Sequence, residues 1–147
     1  MNVLFVAGVA PIVPDLAAAR SLYVDGIGLP LSDDEYPATF ALEGVKHFGL
    51  WSLADAAEAC FARREWPSDV PVPQASIEFE VEDVAGAAAE LEAKGHRLLH
   101  GPRVEPWGQT VARLLGPEGL VIGLSYAPWF HEDGGTESTE STESAGS

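Results

Sequence analysis

The sequence predicts an α+β protein built from two consecutive units, each a strand, a helix and three further strands. Three observations favour this fold class. The corner Val13-Pro14-Asp15-Leu16 is matched 68 residues later by Val81-Glu82-Asp83-Val84, and each corner combines the end of a strand with a helix cap. Phe48-Gly49-Leu50 is matched by Ile122-Gly123-Leu124 near the end of each half. A segment with three prolines over 63–73 separates the halves.

The first unit starts with a strand over Asn2–Val13. Asp15 is the expected N-cap of a helix over Leu16–Val24, because Leu16, Ala19, Leu22 and Tyr23 recur at helical spacing and Gly26 and Gly28 follow. Three strands are then predicted over Leu29–Asp34, Tyr36–Leu42 and Val45–Leu53.

The second unit repeats this order after a short helix over Ala54–Ala62 and the linker Arg63–Pro73. Apolar and polar residues alternate over Gln74–Glu82, as in a half-buried strand, and Asp83 is the expected N-cap of an alanine-rich helix. The remaining elements are that helix over Val84–Lys94 and strands over His96–Val104, Gln109–Leu115 and Leu120–Tyr126. Gly116-Pro117-Glu118-Gly119 supplies the last turn.

These elements divide the chain into a first unit over 1–53, a helix and linker over 54–73, a second unit over 74–130 and an acidic tail over 131–147. The tail is predicted to be disordered, because its Gly, Ser, Thr and Glu residues cannot bury apolar surface.

Charge and composition narrow the function classes. The net charge of the 147 residues is −15, and five of the acidic residues fall in the tail, which leaves about −10 for the two units. Such a chain repels nucleic acid and attracts cationic ligands. No apolar run is long enough to cross a membrane. The single Cys60 favours a reducing cytoplasm.

Two repeated units, the corner residues Asp15 and Asp83, and the motifs PWGQ, GPEG and VIGL together resemble the vicinal oxygen chelate superfamily. This is the group of glyoxalases, bleomycin-resistance proteins and extradiol dioxygenases. The resemblance covers roughly 3–126 and implies two βαβββ modules whose curved half-barrels enclose a cavity. It also implies a homodimer, as in many relatives.

In metal-dependent members of this superfamily, the first and last strands of each module carry the metal ligands. The resemblance places those ligands at Gly8, Gly49, Ser76 and Gly123. Three glycines offer no side-chain donor and a serine hydroxyl is a poor ligand. We therefore expect no metal and no other cofactor at this site, and the glycines leave room for a bulkier ligand.

Side chains two residues away from these positions, and on the neighbouring strand, are expected to face the same cavity. They supply aromatic walls, hydrogen-bonding groups and one acid, as small-molecule sites do. The expected ligand-binding residues are His47, Trp51, Ser76, Glu78, Trp107, Gln109, Arg113 and Ser125. His47 and Glu78 are also the candidates for acid–base catalysis, although each also has an ordinary structural explanation.

The sequence therefore predicts a cytoplasmic, metal-free protein that sequesters an aromatic or cationic small molecule, in the manner of bleomycin-resistance proteins that bind an antibiotic. The alternative is a lyase, isomerase or dioxygenase that uses acid–base chemistry of His47 and Glu78, or a relocated metal held by His47, Glu78 and His100. The sequence leaves enzymatic activity open and leans against it.

Overall fold

The computed structural model of the chain describes residues 1–131, so the predicted tail lies outside the described residues except for His131. Its α+β architecture confirms the predicted fold class. The strands are β1 Val3–Val13, β2 Ala38–Thr39, β3 Phe48–Gly49, β4 Trp51–Ser52, β5 Ala75–Val81, β6 Leu98–Val104, β7 Thr110–Leu115 and β8 Val121–Tyr126. The helices are α1 Leu16–Arg20, which continues as a π-helix over Ser21–Gly26, α2 Leu53–Phe61 and α3 Val84–Ala93. None of them is long and apolar enough to cross a membrane.

All eight strands belong to one open sheet, in the order β2-β3-β1-β5-β8-β7-β6, with β4 also paired to β1. In each unit the first strand pairs in parallel with the last. In the first unit β1 pairs with β3 and β4, and in the second unit β5 pairs with β8. The two units meet where β1 pairs with β5 in antiparallel fashion. The first strands of both units therefore lie at the centre of the sheet.

Alternation along the central strands separates two faces. On the first face, Val81, Ala112 and Leu124 form a buried cluster with α3, and Phe79 packs against it. On the opposite face, Ile12 and Val121 pack against Ala56 and Cys60 of α2. We call this second side the polar face, because it also carries Glu78, Glu80 and Arg113.

The second unit follows the sequence prediction closely. Asp83 accepts a hydrogen bond from the Gly86 amide at 2.9 Å and caps α3 as expected. In the first unit, Asp15 accepts from the Ala18 amide at 3.1 Å and caps α1. Gly119, with φ of 97°, completes the predicted turn before β8. These caps and turns are local, so the sequence alone determines them.

The first unit departs from the prediction in its last three strands. The segment predicted as a strand over Leu29–Asp34 has no strand geometry, and the strand predicted over Tyr36–Leu42 is reduced to β2. The Ser32 hydroxyl accepts from the Ala38 amide at 3.1 Å, and the Asp34 carboxylate accepts from the Tyr36 amide at 2.9 Å. These side chains take backbone donors that a regular ladder would use, so the strands stay short.

The strand predicted over Val45–Leu53 is also interrupted. It forms β3 and β4, separated by the fully buried Leu50, whose amide donates to the Pro37 carbonyl at 2.9 Å. Leu53 instead begins α2, because the Ser52 hydroxyl accepts from the Asp55 amide at 3.1 Å and caps that helix. The serine N-cap is visible in the sequence, but the apolar residues around it favoured a continuous strand.

Gly49 has no room for a side chain. A Cβ atom there would stand 2.9 Å from the Tyr36 hydroxyl oxygen and 3.3 Å from the Ala38 Cβ. We expect Gly49→Ala to lower the free energy of unfolding by about 1–3 kcal/mol, the usual cost of overpacking. Urea denaturation would measure it. Gly101→Ala is the matched control, because a Cβ at Gly101 meets nothing within 4 Å, and equal losses in both variants would contradict the steric explanation.

Candidate functional site

A carboxylate and a guanidinium face each other across a glycine on the polar face. Glu78 on β5 pairs with Gly8 on one side and with Gly123 on the other, and Gly123 pairs in turn with Arg113 on β7. Adjacent strands lie about 4.8 Å apart, so the Glu78 and Arg113 backbones are separated by about 10 Å. Because Gly123 between them has no side chain, no third side chain separates the two charged residues on this face.

The Glu78 side chain extends over Gly123. A Cβ at Gly123 would lie 3.0 Å from the Glu78 Cγ, which is closer than ordinary contact. The Glu78 Oε1 accepts one hydrogen bond from Gln109, at 3.0 Å. Burial raises the pKa of the Glu78 carboxyl above its ordinary value, although the Arg113 charge and the Gln109 hydrogen bond act in the opposite direction. One donor leaves much of the capacity of this carboxylate free, since two oxygens can accept about four bonds.

Trp107 fixes the orientation of Gln109. The Trp107 indole nitrogen donates to the Gln109 Oε1 at 2.8 Å, so the amide nitrogen of Gln109 is the end that points to Glu78. Trp107 itself keeps 56% of its surface exposed, whereas Gln109 is buried. The structure thus joins three of the predicted ligand-binding residues in one hydrogen-bonded chain that leads from solvent to the carboxylate.

Arg113 is held firmly at the other side of Gly123. Only 2% of it is exposed, its Nη1 donates to Glu105 at 2.7 Å, and its guanidinium lies 5.3 Å from the Trp51 ring centre. The same Nη1 lies 3.1 Å from the His100 Nε2. His100 Nδ1 faces the Gly101 carbonyl at 2.7 Å, where only a donor fits, so Nε2 is the acceptor and Arg113 donates. Burial lowers the pKa of His100, which favours this neutral ring.

His47 lies beside Glu78 because Gly8, between them, has no side chain. A Cβ at Gly8 would lie 3.7 Å from the His47 Nδ1 and 3.7 Å from the Glu78 Oε1, so both groups border the same point. The imidazole stacks on Tyr36, with ring centres 5.9 Å apart, and touches Phe40 at 4.8 Å. Burial lowers the pKa of His47. The predicted pair of His47 and Glu78 is therefore brought together by a residue that has no side chain.

Tyr36 is a site residue that the sequence prediction missed. Its hydroxyl lies against Gly49, and burial, followed by the charge of Glu78, raises its pKa well above the ordinary value, with Arg113 acting against them. The phenol is therefore a neutral hydrogen-bond donor at physiological pH. It was missed because it belongs to the irregular part of the first unit, where alternation does not indicate direction.

Ser125 and Ser76 have less access to a ligand than the sequence suggests. Both are buried. The Ser125 hydroxyl donates to Glu80 at 2.9 Å, and this fully buried carboxylate also accepts from the Ala127 amide at 2.7 Å and contacts the His131 Nε2 at 2.7 Å. Ser125 therefore supports a structural carboxylate, and Glu80 is a second acidic residue on this face whose burial the sequence did not indicate.

The residues present do not fit a metal ion. Gly8, Gly49 and Gly123 provide no side-chain donors at the positions that the resemblance assigns to metal ligands. Over residues 1–131, no three His, Cys, Asp or Glu side chains are grouped closely enough to hold a metal. The relocated metal site of His47, Glu78 and His100 is therefore not formed, and the hydrogen bond between His100 and Arg113 explains why.

A separate cleft of about 610 Å³ lies away from this carboxylate, between the linker and β6. Its floor is apolar, and Asp69 and Arg97 are the charged residues that line it. It contains none of the predicted ligand-binding residues.

Comparison with known proteins identifies the architecture. The model of the glyoxalase/bleomycin resistance protein/dioxygenase superfamily matches residues 7–124. No curated protein matches the sequence significantly. The chain therefore belongs to this superfamily, and the resemblance inferred from the sequence is confirmed.

Solved structures agree with this assignment. The fold is similar to that of methylmalonyl-CoA epimerase from Mycobacterium tuberculosis, with a TM-score of 0.58 and 19% identity, covering 88% of this chain and 92% of that one. It is also similar to a superfamily member from Vibrio splendidus 12B01, with a TM-score of 0.56 and 15% identity, covering 84% and 99%. A variant of methylmalonyl-CoA epimerase from Streptomyces coelicolor, in complex with 2-nitronate-propionyl-CoA, matches with a TM-score of 0.55 and 18% identity, covering 86% and 96%. At these identities the likeness shows the fold alone.

The raised pKa of Glu78 predicts that the wild-type residue costs stability at neutral pH. A carboxyl with a higher pKa in the folded than in the unfolded state stabilises folding below the unfolded pKa, about 4.3, and loses that contribution as pH rises through the folded value. We expect Glu78→Gln to unfold at higher urea concentration than the wild type at pH 7, with the difference shrinking towards pH 4.

Glu92→Gln is the control for this comparison, because it removes the same charge from an exposed position on α3. A Glu78→Gln protein that is less stable than the wild type at pH 7 would contradict the raised pKa of Glu78. So would a stability difference that does not change with pH.

Proposed function

We propose that this superfamily member binds a small molecule on the polar face without a metal, and that Glu78 anchors a cationic or hydrogen-bond-donating group of that molecule. One observation carries the proposal: Glu78 is partly buried between two glycines and, among residues 1–131, has a single hydrogen-bond donor, Gln109. A buried carboxylate with so few donors favours a ligand that supplies the missing ones.

The comparison with Glu80 supports this role for Glu78. Both glutamates lie on β5 and face the same side, but Glu80 has three partners from the C-terminal end of the chain and no exposed surface. Glu80 is satisfied within the protein. Glu78 is the carboxylate whose bonding capacity the fold leaves for another molecule.

Aromatic side chains near Glu78 suit a planar or cationic ligand. Trp107 and Phe40 are each more than half exposed, and Tyr36 stacks beside His47. Aromatic faces attract cations and stack on flat rings. The net charge of −15 acts in the same direction, because it concentrates cations around the protein. These features support sequestration of a ligand, the role that the sequence suggested by analogy with antibiotic-binding members.

We also propose that the protein is a homodimer in the cytoplasm, as the resemblance and the single Cys60 suggested from the sequence. Large apolar side chains are exposed at Leu22, Ile27, Phe40 and Val104, and a partner subunit would cover some of them. Light scattering would test this against the 15.6 kDa of one chain.

Calorimetric titration with the planar cation proflavine and the planar anion fluorescein tests the binding function. We expect proflavine to bind and fluorescein not to bind. Glu78→Gln should weaken proflavine binding about 10- to 100-fold, the value of a hydrogen bond to a charged group. Glu92→Gln should leave it unchanged. Failure of proflavine to bind, or equal binding of both dyes, would refute an acidic anchor on this face.

Acid–base catalysis is the second candidate, and the shared position of His47 and Glu78 favours it. Burial shifts the pKa of the carboxyl upward and that of the imidazole downward, so the two approach each other, as in sites that move protons. A carbon acid seated between them could lose a proton to one group and regain it from the other. The acidity of the chain disfavours the phosphates of a CoA ester, which the epimerases with this fold bind.

Proton exchange separates these two functions. If the protein only binds its ligand, methylmalonyl-CoA incubated in D₂O should keep its C2 proton, as followed by NMR. Exchange that is lost in both Glu78→Gln and His47→Gln would replace the binding function with an enzymatic one.

A further inference from the structure

The geometry points to a bipolar ligand, an aromatic amino acid or a similar short aminocarboxylate, whose ammonium group binds Glu78 and whose carboxylate binds Arg113 across Gly123. This inference rests on the proposed binding function and specifies its ligand class. It starts from the two opposite charges that flank Gly123 on neighbouring strands of the same face.

The two charges are close but not joined. Glu78 and Arg113 make no ion pair within 4.0 Å among residues 1–131, although their backbones are only two strand spacings apart, about 10 Å. Glu78 leans towards Arg113, because its Cγ lies over Gly123. A small molecule that carries both charges within a few bonds could bridge the two groups.

Arg113 has donors to spare. Its hydrogen bonds to Glu105 and His100 both use Nη1, so within the described chain Nε and Nη2 are left without acceptors. A guanidinium offers five N–H donors, and the described residues engage those on Nη1. A carboxylate that accepts two parallel bonds from a guanidinium matches the free side of this group.

The charge balance around Arg113 also favours an anion. Glu105 is shared, because it lies 2.7 Å from Arg113 and 3.5 Å from Arg103. His100 is neutral in the hydrogen-bonding arrangement described above. Two arginines and one carboxylate leave one positive charge uncompensated in a chain that has only eight Lys and Arg residues. Arg113 and Glu78 flank Gly123 with opposite charges, and a zwitterion carries the two matching charges.

The test compares three ligands that share one aromatic ring. L-phenylalanine carries both charges, phenethylamine keeps only the ammonium group, and 3-phenylpropanoate keeps only the carboxylate. We expect calorimetry on the full chain to show phenylalanine binding at least 10-fold tighter than either analogue. The order should be phenylalanine, then phenethylamine, then 3-phenylpropanoate.

Two variants assign the groups. Glu78→Gln should weaken phenylalanine and phenethylamine alike. Arg113→Lys, which keeps the charge but loses the two-pronged geometry, should weaken phenylalanine and leave phenethylamine unchanged. Should the Arg113→Lys protein fail to fold, the ligand series on the wild type still decides the inference.

Each outcome has a definite meaning. Phenethylamine binding as tightly as phenylalanine would overturn the bipolar ligand while leaving the acidic anchor intact. No binding of any member of the series would also overturn it, and the proflavine titration would then decide separately whether the polar face binds cations at all.

Discussion

The antiparallel pairing of β1 with β5 determines the geometry of the polar face. It sets Gly8 opposite Glu78, and the parallel pairing of β5 with β8 sets Gly123 on the other flank. Side chains alternate along a strand, so a shift by one residue would turn Glu78 towards α3 and Phe79 towards the polar face. The apolar contacts of Phe79 and Val81 with the core beneath α3 prevent that shift. The hydrophobic packing on one side of the sheet therefore keeps the carboxylate in place on the other side.

The buried charged side chains of the polar face differ in how many hydrogen-bond partners the protein gives them. Glu80 and Arg113 are almost completely buried. Ser125 and the Ala127 amide donate to the two carboxylate oxygens of Glu80, and Glu105 accepts from the Nη1 of Arg113. A buried charge with good partners is tolerated, and removing one partner is costly. Glu78 differs from them, because burial raises its pKa and Gln109 is its single hydrogen-bond donor within the part of the chain that the structure describes. The Glu78 carboxylate is therefore less stabilised by the protein than Glu80, and a bound ligand could supply the missing hydrogen bonds.

Periodicity predicted the second unit well and the first unit poorly, for a physical reason. The alternation over 74–82 and the caps Asp15 and Asp83 are local signals, and the structure follows them. In the first unit, Ser32 and Asp34 bond backbone amides, which a pattern of apolar residues does not reveal. The approach of Tyr36 to Glu78 and the burial of Glu80 join residues far apart in sequence, and the hydrogen bond of Arg113 to His100 joins two neighbouring strands. Such contacts depend on tertiary packing, and single-sequence reasoning has no access to them.

The glycines at the positions that the resemblance assigns to metal ligands and the placement of the partly buried Glu78 carboxylate are connected. A donor at Gly123 would need a Cβ atom 3.0 Å from the Glu78 Cγ, so the side chain of Glu78 could not keep its course over that position. A longer side chain at Gly8 would occupy the point that His47 and Glu78 share, where its Cβ alone would already contact both. A side-chain donor at Gly123 therefore conflicts sterically with the observed placement of Glu78, whereas a Cβ at Gly8 would make ordinary contact with it. In this chain the absence of a side chain at Gly123 leaves the space that the Glu78 side chain occupies.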